Sequence, residues 1–270
     1  MKKVISVGFN IPGCEKCYQD YLSKHSLFDA DIIVFKPFSF DQYIQNVSQI
    51  VLLVPHLQGL DEQYGKEMRE ILADGKNIFL FMGEYQEIGG YNNYGFLPIR
   101  QKMVIISRKG SEIKFSNERI FCTFWKELNS YLNYECYIDY PHNPINRIFT
   151  TNSSDKLLGG ILSYGLGNLI FLPMIKFPDD SKQAEGLGKR LIQILVDIDK
   201  SLRSKSEKTP SPEWLNSSIY TLTSESEIEK KMDSVSQEID ALNEKMDNLQ
   251  TLLSDERSLK DLLLLYLLLS

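Results

Sequence analysis

The sequence predicts an α/β protein with a doubly wound, mostly parallel sheet, followed by a C-terminal coiled-coil helix. Short runs of β-branched and aromatic residues alternate with helix-length segments through most of the 270-residue chain. These runs are apolar at nearly every position, which is typical of strands buried on both faces of a parallel sheet. Near the C-terminus, apolar residues instead recur in alternating steps of four and three, the pattern of a heptad repeat. The two patterns together indicate a Rossmann-like or flavodoxin-like body with an appended helix.

Four apolar runs are predicted to be the parallel strands of the body: Val4–Phe9, Asp31–Phe35, Ile50–Val54 and Asn77–Met82. Asp61–Ala73 has apolar residues at helical spacing, and Asp74-Gly75 supplies a helix end and a turn. Alternation of strands with helical segments favours crossover connections between parallel strands.

The second half of the body is less regular. Met103–Ser107 and Glu112–Phe115 are short enough to form a hairpin around Lys109-Gly110. The remaining predicted elements are a helix, three strand-like runs and a closing amphipathic helix: Phe121–Tyr134, Arg147–Thr151, two runs within Leu157–Leu172, and Gln183–Leu202.

The heptad seam is the strongest periodic signal in the chain. Isoleucine at an a position with leucine at d positions favours two parallel helices, so we expect a homodimer. Methionine at two a positions and few opposite-charge pairs at e and g leave the helix orientation open. The polar, Pro-containing stretch Ser204–Ser211 and the seam together set the predicted domain limits: a body over 1–203, a linker over 204–223, a coiled coil over 224–256 and an apolar helix over 257–270. Eight residues form the seam: Ile228, Met232, Val235, Ile239, Leu242, Met246, Leu249 and Leu253.

Charge is distributed unevenly. Residues 204–270 contain 7 Lys and Arg against 13 Asp and Glu, and the preceding residues contain 23 of each, so the net charge of −6 lies in the C-terminal segment. A neutral body and an acidic tail argue against nucleic-acid binding. The N-terminus does not resemble a signal peptide, and Leu262–Leu269 is too short to span a bilayer. We therefore expect a cytoplasmic protein with reduced thiols and no membrane contact.

Four polar residues are candidate ligand-binding groups because they follow predicted strands. His56 and Glu84 come after the third and fourth strands, and Asn92 and Asn93 lie in a glycine-rich loop just beyond. Open α/β sheets bind ligands at the carboxyl ends of their strands. A loop histidine and ordinary turn residues are the alternative interpretation.

Cys14 and Cys17 form a C-x-x-C motif after the first strand, where a helix N-terminus would lower a thiol pKa and permit disulfide exchange. Two small buried thiols are the alternative interpretation. A zinc site would need two further ligands, and the other cysteines and histidines show no second paired spacing. The chain has no P-loop, dinucleotide fingerprint or G-x-S-x-G turn. The sequence therefore predicts no metal and no cofactor.

Two stretches resemble class I glutamine amidotransferase-like domains, especially their trehalose-utilisation (ThuA-like) relatives. One runs from Ile50 to Met82 and the other is the glycine-rich turn and strand Gly165–Pro173. The resemblance covers residues 1–202 and implies the α/β fold. An amidotransferase of this family has a nucleophilic cysteine where this chain has Gly83-Glu84-Tyr85, and a histidine and an acid where it has Pro173–Lys176. The resemblance therefore implies a fold whose catalytic triad is missing.

These observations favour a non-enzymatic sensor or interaction module that self-associates. The apolar C-terminal run would then begin a further domain, making the chain the N-terminal part of a larger regulated effector with a protein partner. The alternative hypothesis is a small-molecule-binding or hydrolytic enzyme that uses the carboxyl edge of the sheet.

Overall fold

A computed structural model describes residues 2–43, 47–98, 103–139 and 145–206. The chain divides into two units, Met1–Glu207 and Lys208–Ser270. The second unit, with the whole heptad seam from Ile228 to Leu253, lies outside the described residues. In the part that is described, no helix combines the length and apolar character that crossing a membrane requires.

The described residues form three helices and thirteen strands. The helices are α1 (Val47–Ala73), α2 (Cys122–Leu128) and α3 (Ser181–Ser206). The strands are β1 (Val4–Val7), β2 (Tyr18–Gln19), β3 (Ile32–Phe35), β4 (Ile78–Phe81), β5 (Glu87–Ile88), β6 (Tyr91–Asn92), β7 (Val104–Gly110), β8 (Ile113–Phe115), β9 (Leu132–Asp139), β10 (Asn146–Thr151), β11 (Leu157–Tyr164), β12 (Gly167–Leu172) and β13 (Met174–Ile175).

Eleven strands make one mixed sheet whose main path is β13-β9-β11-β12-β4-β3-β1-β2. The five neighbours β12-β4-β3-β1-β2 are parallel to one another. The antiparallel part begins at the β11–β12 hairpin and continues through β9, β10, β7, β8 and β13. Helices cover both faces, so the predicted doubly wound α/β fold is confirmed.

Side chains of the central strands alternate between two apolar layers. In β4, Ile78 and Leu80 face the layer that contains α1, whereas Phe79 and Phe81 face the layer that contains α2 and α3. All four are fully buried. A strand buried on both faces needs apolar residues at every position, which explains the continuous runs in the sequence.

The predicted third strand, Ile50–Val54, is wrong, because these residues belong to the 27-residue helix α1. Val51 and Leu52 are 63% and 79% exposed, whereas Ile50 is buried. The buried positions of α1 follow helical spacing from one end to the other: Ile50, Leu57, Leu60, Tyr64, Met68 and Ile71. The helical spacing of apolar residues over the whole segment therefore decides its structure, and the local apolar run Ile50–Val54 does not. The helix continues through Pro55.

Two further predictions are wrong in the antiparallel part. β7 and β8 do not form a hairpin with each other, because β7 pairs with β9 and β8 pairs with β10. The helix predicted over Phe121–Tyr134 ends at Leu128, and Leu132 already begins β9. β9 alternates buried and half-buried residues, the pattern of a strand with one face in the core.

Candidate functional site

The carboxyl ends of β1, β3 and β4 lie side by side and are followed by Gly8, Lys36 and Gly83. Gly8 has φ of +68°, and a Cβ there would lie 2.8 Å from the Lys36 carbonyl oxygen. The Lys36 amide in turn donates a hydrogen bond to the Val7 carbonyl at 3.0 Å. Glycine at position 8 therefore allows the chain after β3 to pass close over the end of β1.

A cleft of about 230 Å³ opens between the carboxyl ends of β1 and β3. It lies where the chain passes from β1 to β2 on one side and from β3 to β4 on the other, which is the usual ligand position in a doubly wound sheet. Its polar lining includes Tyr18, Asp20, Lys36, Ser39 and Asp41.

Charged groups cluster beside the cleft, at the end of β4. Lys109 Nζ forms a 2.8 Å ion pair with Glu84, and this partner raises the pKa of Lys109. Glu135 accepts a hydrogen bond from the Glu84 amide at 2.9 Å. Lys36 crosses the strand end, with its Cε 3.2 Å from the place where a Cβ on Gly83 would lie. Hydrogen bonding by Ser39 and Gln86 lowers the pKa of Asp41, so its carboxylate stays charged.

Asn93 holds the loops of this edge together. Its amide nitrogen donates to the Phe38 carbonyl at 2.8 Å and to the Glu84 carbonyl at 2.9 Å, and its oxygen accepts from the Gln86 amide at 2.9 Å. The side chain is 1% exposed, so these three bonds replace water. Asn93 thus has the environment of a structural residue, and its predicted ligand role remains a prediction.

Asn92 lies in the β5–β6 hairpin, next to Asn93, whose side chain hydrogen-bonds the Glu84 carbonyl. Asn92 lines a second cavity, of about 390 Å³, together with Tyr85, Tyr94 and residues of β7. Tyr94 donates a hydrogen bond to the Gly83 carbonyl at 2.6 Å, and Ser107 donates one to the Tyr85 carbonyl at 2.7 Å. This cavity therefore adjoins the turn that carries Glu84.

His56 does not join the other predicted ligand residues. It was assigned to the sheet edge because Ile50–Val54 was predicted to be a strand, and that strand is part of α1. The His56 ring is exposed and its Nε2 lies 3.0 Å from the Leu22 carbonyl oxygen. The bond ties α1 to the segment before β3.

Cys14 and Cys17 are both free thiols. The segment makes a single 3₁₀ turn at Glu15–Cys17 instead of the expected α-helix. Cys17 donates its thiol to the Cys14 carbonyl, and burial raises the pKa of Cys17 to about 12. Disulfide exchange needs a thiolate. The buried, hydrogen-bonded Cys17 favours a structural thiol over a redox pair, whereas Cys14 is only partly buried, and the redox role stays a prediction.

Sequence reasoning missed Lys36, Lys109 and Glu135. Lys109 and Glu135 reach the site through β7 and β9, which pair antiparallel with a register shift between Ser107 and Gly110. No local pattern signals that these strands would carry charges to the end of β4. Within the described ranges, no group of three or more His, Cys, Asp or Glu side chains is placed to hold a metal ion.

No protein-family model and no curated protein matches the chain. Among solved structures, it is similar to a glutamine amidotransferase from Thermotoga maritima, with 13% identity and a TM-score of 0.42 over 77% of this chain and 99% of that one. It is also similar to a cytoplasmic protein from Salmonella typhimurium, with 11% identity and a TM-score of 0.34 over 65% of this chain and 79% of that one. The fold assignment rests on the strand order and helix layers of the chain itself.

Proposed function

We propose that this chain is a non-enzymatic, ligand-responsive interaction module whose copies associate through the Ile228–Leu253 seam. The α/β body receives a small molecule at the carboxyl edge of its sheet, and the acidic C-terminal segment provides assembly. The turn after β4 carries the first part of the proposal, and the heptad spacing carries the second.

The turn after β4 has charged groups that already satisfy one another. The Glu84 carboxylate is ion-paired with Lys109, and the Glu84 backbone amide donates a hydrogen bond to Glu135. A nucleophile needs an adjacent base that can take its proton. Among the described residues, neither His25 nor His56 hydrogen-bonds a cysteine or serine side chain. This arrangement supports binding over covalent catalysis.

A hydrolytic enzyme at the same edge is the second candidate, and the cleft between β1 and β3 is the observation that favours it. This candidate predicts turnover that depends on Glu84 and Lys109. Incubating the full chain with glutamine and measuring ammonia tests the amidotransferase form of it. We expect no ammonia above the buffer rate for the wild type, and release abolished by Glu84→Gln would favour the enzyme.

Self-association is tested by sedimentation equilibrium of the full-length chain. We expect a dimer for the wild type and a monomer for the double variant Ile239→Asp, Leu242→Asp, because carboxylates at a and d positions are buried without partners in a coiled coil.

The matched control is the double variant Gln237→Asp, Ala241→Asp, which places two aspartates beside the substituted seam residues, at an f and a c position. We expect this control variant to sediment with the mass of the wild-type dimer if the heptad assignment is correct. A monomeric wild-type chain would refute the assembly proposal, and equal dissociation by both double variants would refute the assigned seam.

A further inference from the structure

The described residues that line the 390 Å³ cavity beside the β5–β6 hairpin are neutral and largely apolar. The inner wall of the cavity is made by Leu97, Met103 and Ile105, all buried. Among the described residues, those that line the cavity include no Asp, Glu, Lys, Arg or His side chain. Its volume is within the range of small-molecule sites, whose walls are mostly apolar with a few placed polar groups.

Two tyrosine rings form the side nearest the end of β4. The rings of Tyr85 and Tyr94 lie 6.3 Å apart between centroids, with 19° between their planes. The Tyr94 ring also stacks on Phe96, with centroids 6.1 Å apart and 24° between the planes, so the half-buried Tyr85 is the ring that can offer a flat face to a further ring. Such offset contacts are favourable beyond the area they bury. Burial raises the pKa of both phenols, so both are neutral near pH 7.

The polar groups of the cavity are satisfied except at one place. The Tyr94 hydroxyl donates to the Gly83 carbonyl, and the Tyr85 hydroxyl donates to Glu87 at 2.8 Å. The Asn92 side-chain oxygen accepts from the Tyr94 amide at 3.2 Å, which fixes the orientation of the Asn92 amide. Its Nδ2 group has no hydrogen-bond partner among the described residues and is left as a donor at the cavity.

Val104 gives the cavity an apolar rim that is open to water. It is 56% exposed, one of the few large apolar side chains with that exposure among the described residues. A ring that entered the cavity would cover Val104 and remove apolar surface from water, which is favourable.

We infer that this cavity is a binding site for an uncharged, planar heteroaromatic molecule that presents one hydrogen-bond acceptor to the Asn92 amide. The inference names the ligand class for the sensing role and rests on the proposed function. The apolar wall and the Tyr85 ring contact the faces of the ligand ring, and the Asn92 amide donates to the edge that bears the acceptor.

Saturation-transfer NMR on the full-length chain at pH 8 tests the inference with two probes of the same shape. Quinoline carries a ring nitrogen that accepts a hydrogen bond, and naphthalene does not. We expect both to bind, with quinoline tighter by about fivefold, the factor that one hydrogen bond typically supplies.

Two substitutions separate the parts of the site. Asn92→Asp keeps the oxygen that accepts from the Tyr94 amide but removes the free donor, so quinoline loses its advantage while naphthalene still binds. Val104→Trp places a large side chain at the rim and abolishes transfer to both probes. Leu166→Trp, at an exposed apolar residue outside the cavity lining, is the control and leaves both probes unchanged.

Equal affinity of the two probes for the wild type would overturn the role of Asn92. Binding that survives Val104→Trp, or no transfer to either probe, would overturn the site itself. These outcomes are independent of the sedimentation result. A monomeric chain would refute the assembly proposal, whereas the binding of quinoline and naphthalene would still decide whether the cavity is a ligand site.

Discussion

Tyr18 and Tyr21 both line the cleft between β1 and β3, but only one of them is built into the core. Tyr18 is 40% exposed, whereas Tyr21 is 2% exposed and donates a 2.6 Å hydrogen bond to Asp61 of α1. Asp61 is itself buried, so the Tyr21 hydroxyl supplies a donor that water cannot. Burial, followed by the nearby Asp61 charge, raises the pKa of Tyr21 well above its ordinary value.

We predict that Tyr21→Phe lowers the free energy of unfolding by about 2 kcal/mol, because a buried carboxylate loses a hydrogen-bond donor. Tyr18→Phe, which removes the same atom at an exposed position, changes it by less than about 0.5 kcal/mol. Urea denaturation of the two variants measures both values. Equal, small effects would show that the Tyr21 hydroxyl does not stabilise the fold.

The sequence placed Asp61 at the start of a helix but gave no sign of this partner. Tyr21 and Asp61 are 40 positions apart. Their contact depends on how the segment after β2 folds over α1, and no periodic pattern encodes that.

Two glycines of α3, only two positions apart, differ in what surrounds them. A Cβ at Gly186 would meet no atom within 4 Å, whereas a Cβ at Gly188 would collide with the Pro12 carbonyl oxygen. Gly188 therefore lets α3 approach the loop after β1 closely. Glycine within a helix otherwise lowers stability relative to alanine.

We predict opposite effects for the same substitution at these two positions. Gly186→Ala raises the free energy of unfolding by about 0.5–1 kcal/mol, because alanine has the higher helix propensity. Gly188→Ala lowers the free energy of unfolding by about 2 kcal/mol or more, because the added methyl group pushes α3 away from the loop that contains Pro12. Thermal or urea unfolding gives the signs, and stabilisation by both variants would contradict the close approach to Pro12.

Among the helices and strands, long segments with a clear period were predicted well, and short segments were not. α3 shows helical spacing over its whole length, and its prediction is confirmed. Ile50–Val54 is too short to distinguish a strand from one part of a helix, because five apolar residues fit either period. β7 and β8 were identified as strands, but their partners are non-local and could not be predicted from the loop between them.

Asp199 joins three distant parts of the molecule. It is fully buried on α3 and forms ion pairs with Lys2 and with Arg203, whose Nε lies 3.0 Å from Asp199 Oδ2. Its other oxygen accepts a hydrogen bond from Asn77, just before β4, at 2.9 Å. Asn77 also accepts from the Asn168 amide at 3.1 Å, so the network reaches β12.

We predict that Asp199→Asn lowers the free energy of unfolding by about 3 kcal/mol, because two cations lose the carboxylate that a buried network supplies. Asp197→Asn is the control on the same helix. Its ion pair with Lys200 is long, at 3.8 Å, and more than half exposed, so we expect a change of less than about 0.5 kcal/mol.

Urea unfolding monitored by circular dichroism measures both variants. A loss at Asp199 no larger than the loss at Asp197 would mean that the network contributes little to joining the N-terminus, β4 and α3.

The candidate site was predictable only in outline. Glu84 and Asn92 were selected because residues after a strand tend to meet at the sheet edge. Glu84 follows β4 and Asn92 lines the adjoining cavity, and their ligand role stays a prediction. His56 was misplaced together with its supposed strand. Lys109 and Glu135 were missed because β7 and β9 deliver them from the antiparallel part of the sheet.

By itself, the sequence determined the fold class, the central strands β1, β3 and β4 and the helix α3, because burial on one or two faces imposes a period that residue types record. It also predicts the heptad seam, which lies outside the described residues. Only the tertiary structure decided which strands pair, which charges meet at the end of β4 and which cavities remain. Those outcomes depend on contacts between residues far apart in the chain, whose geometry no local pattern carries.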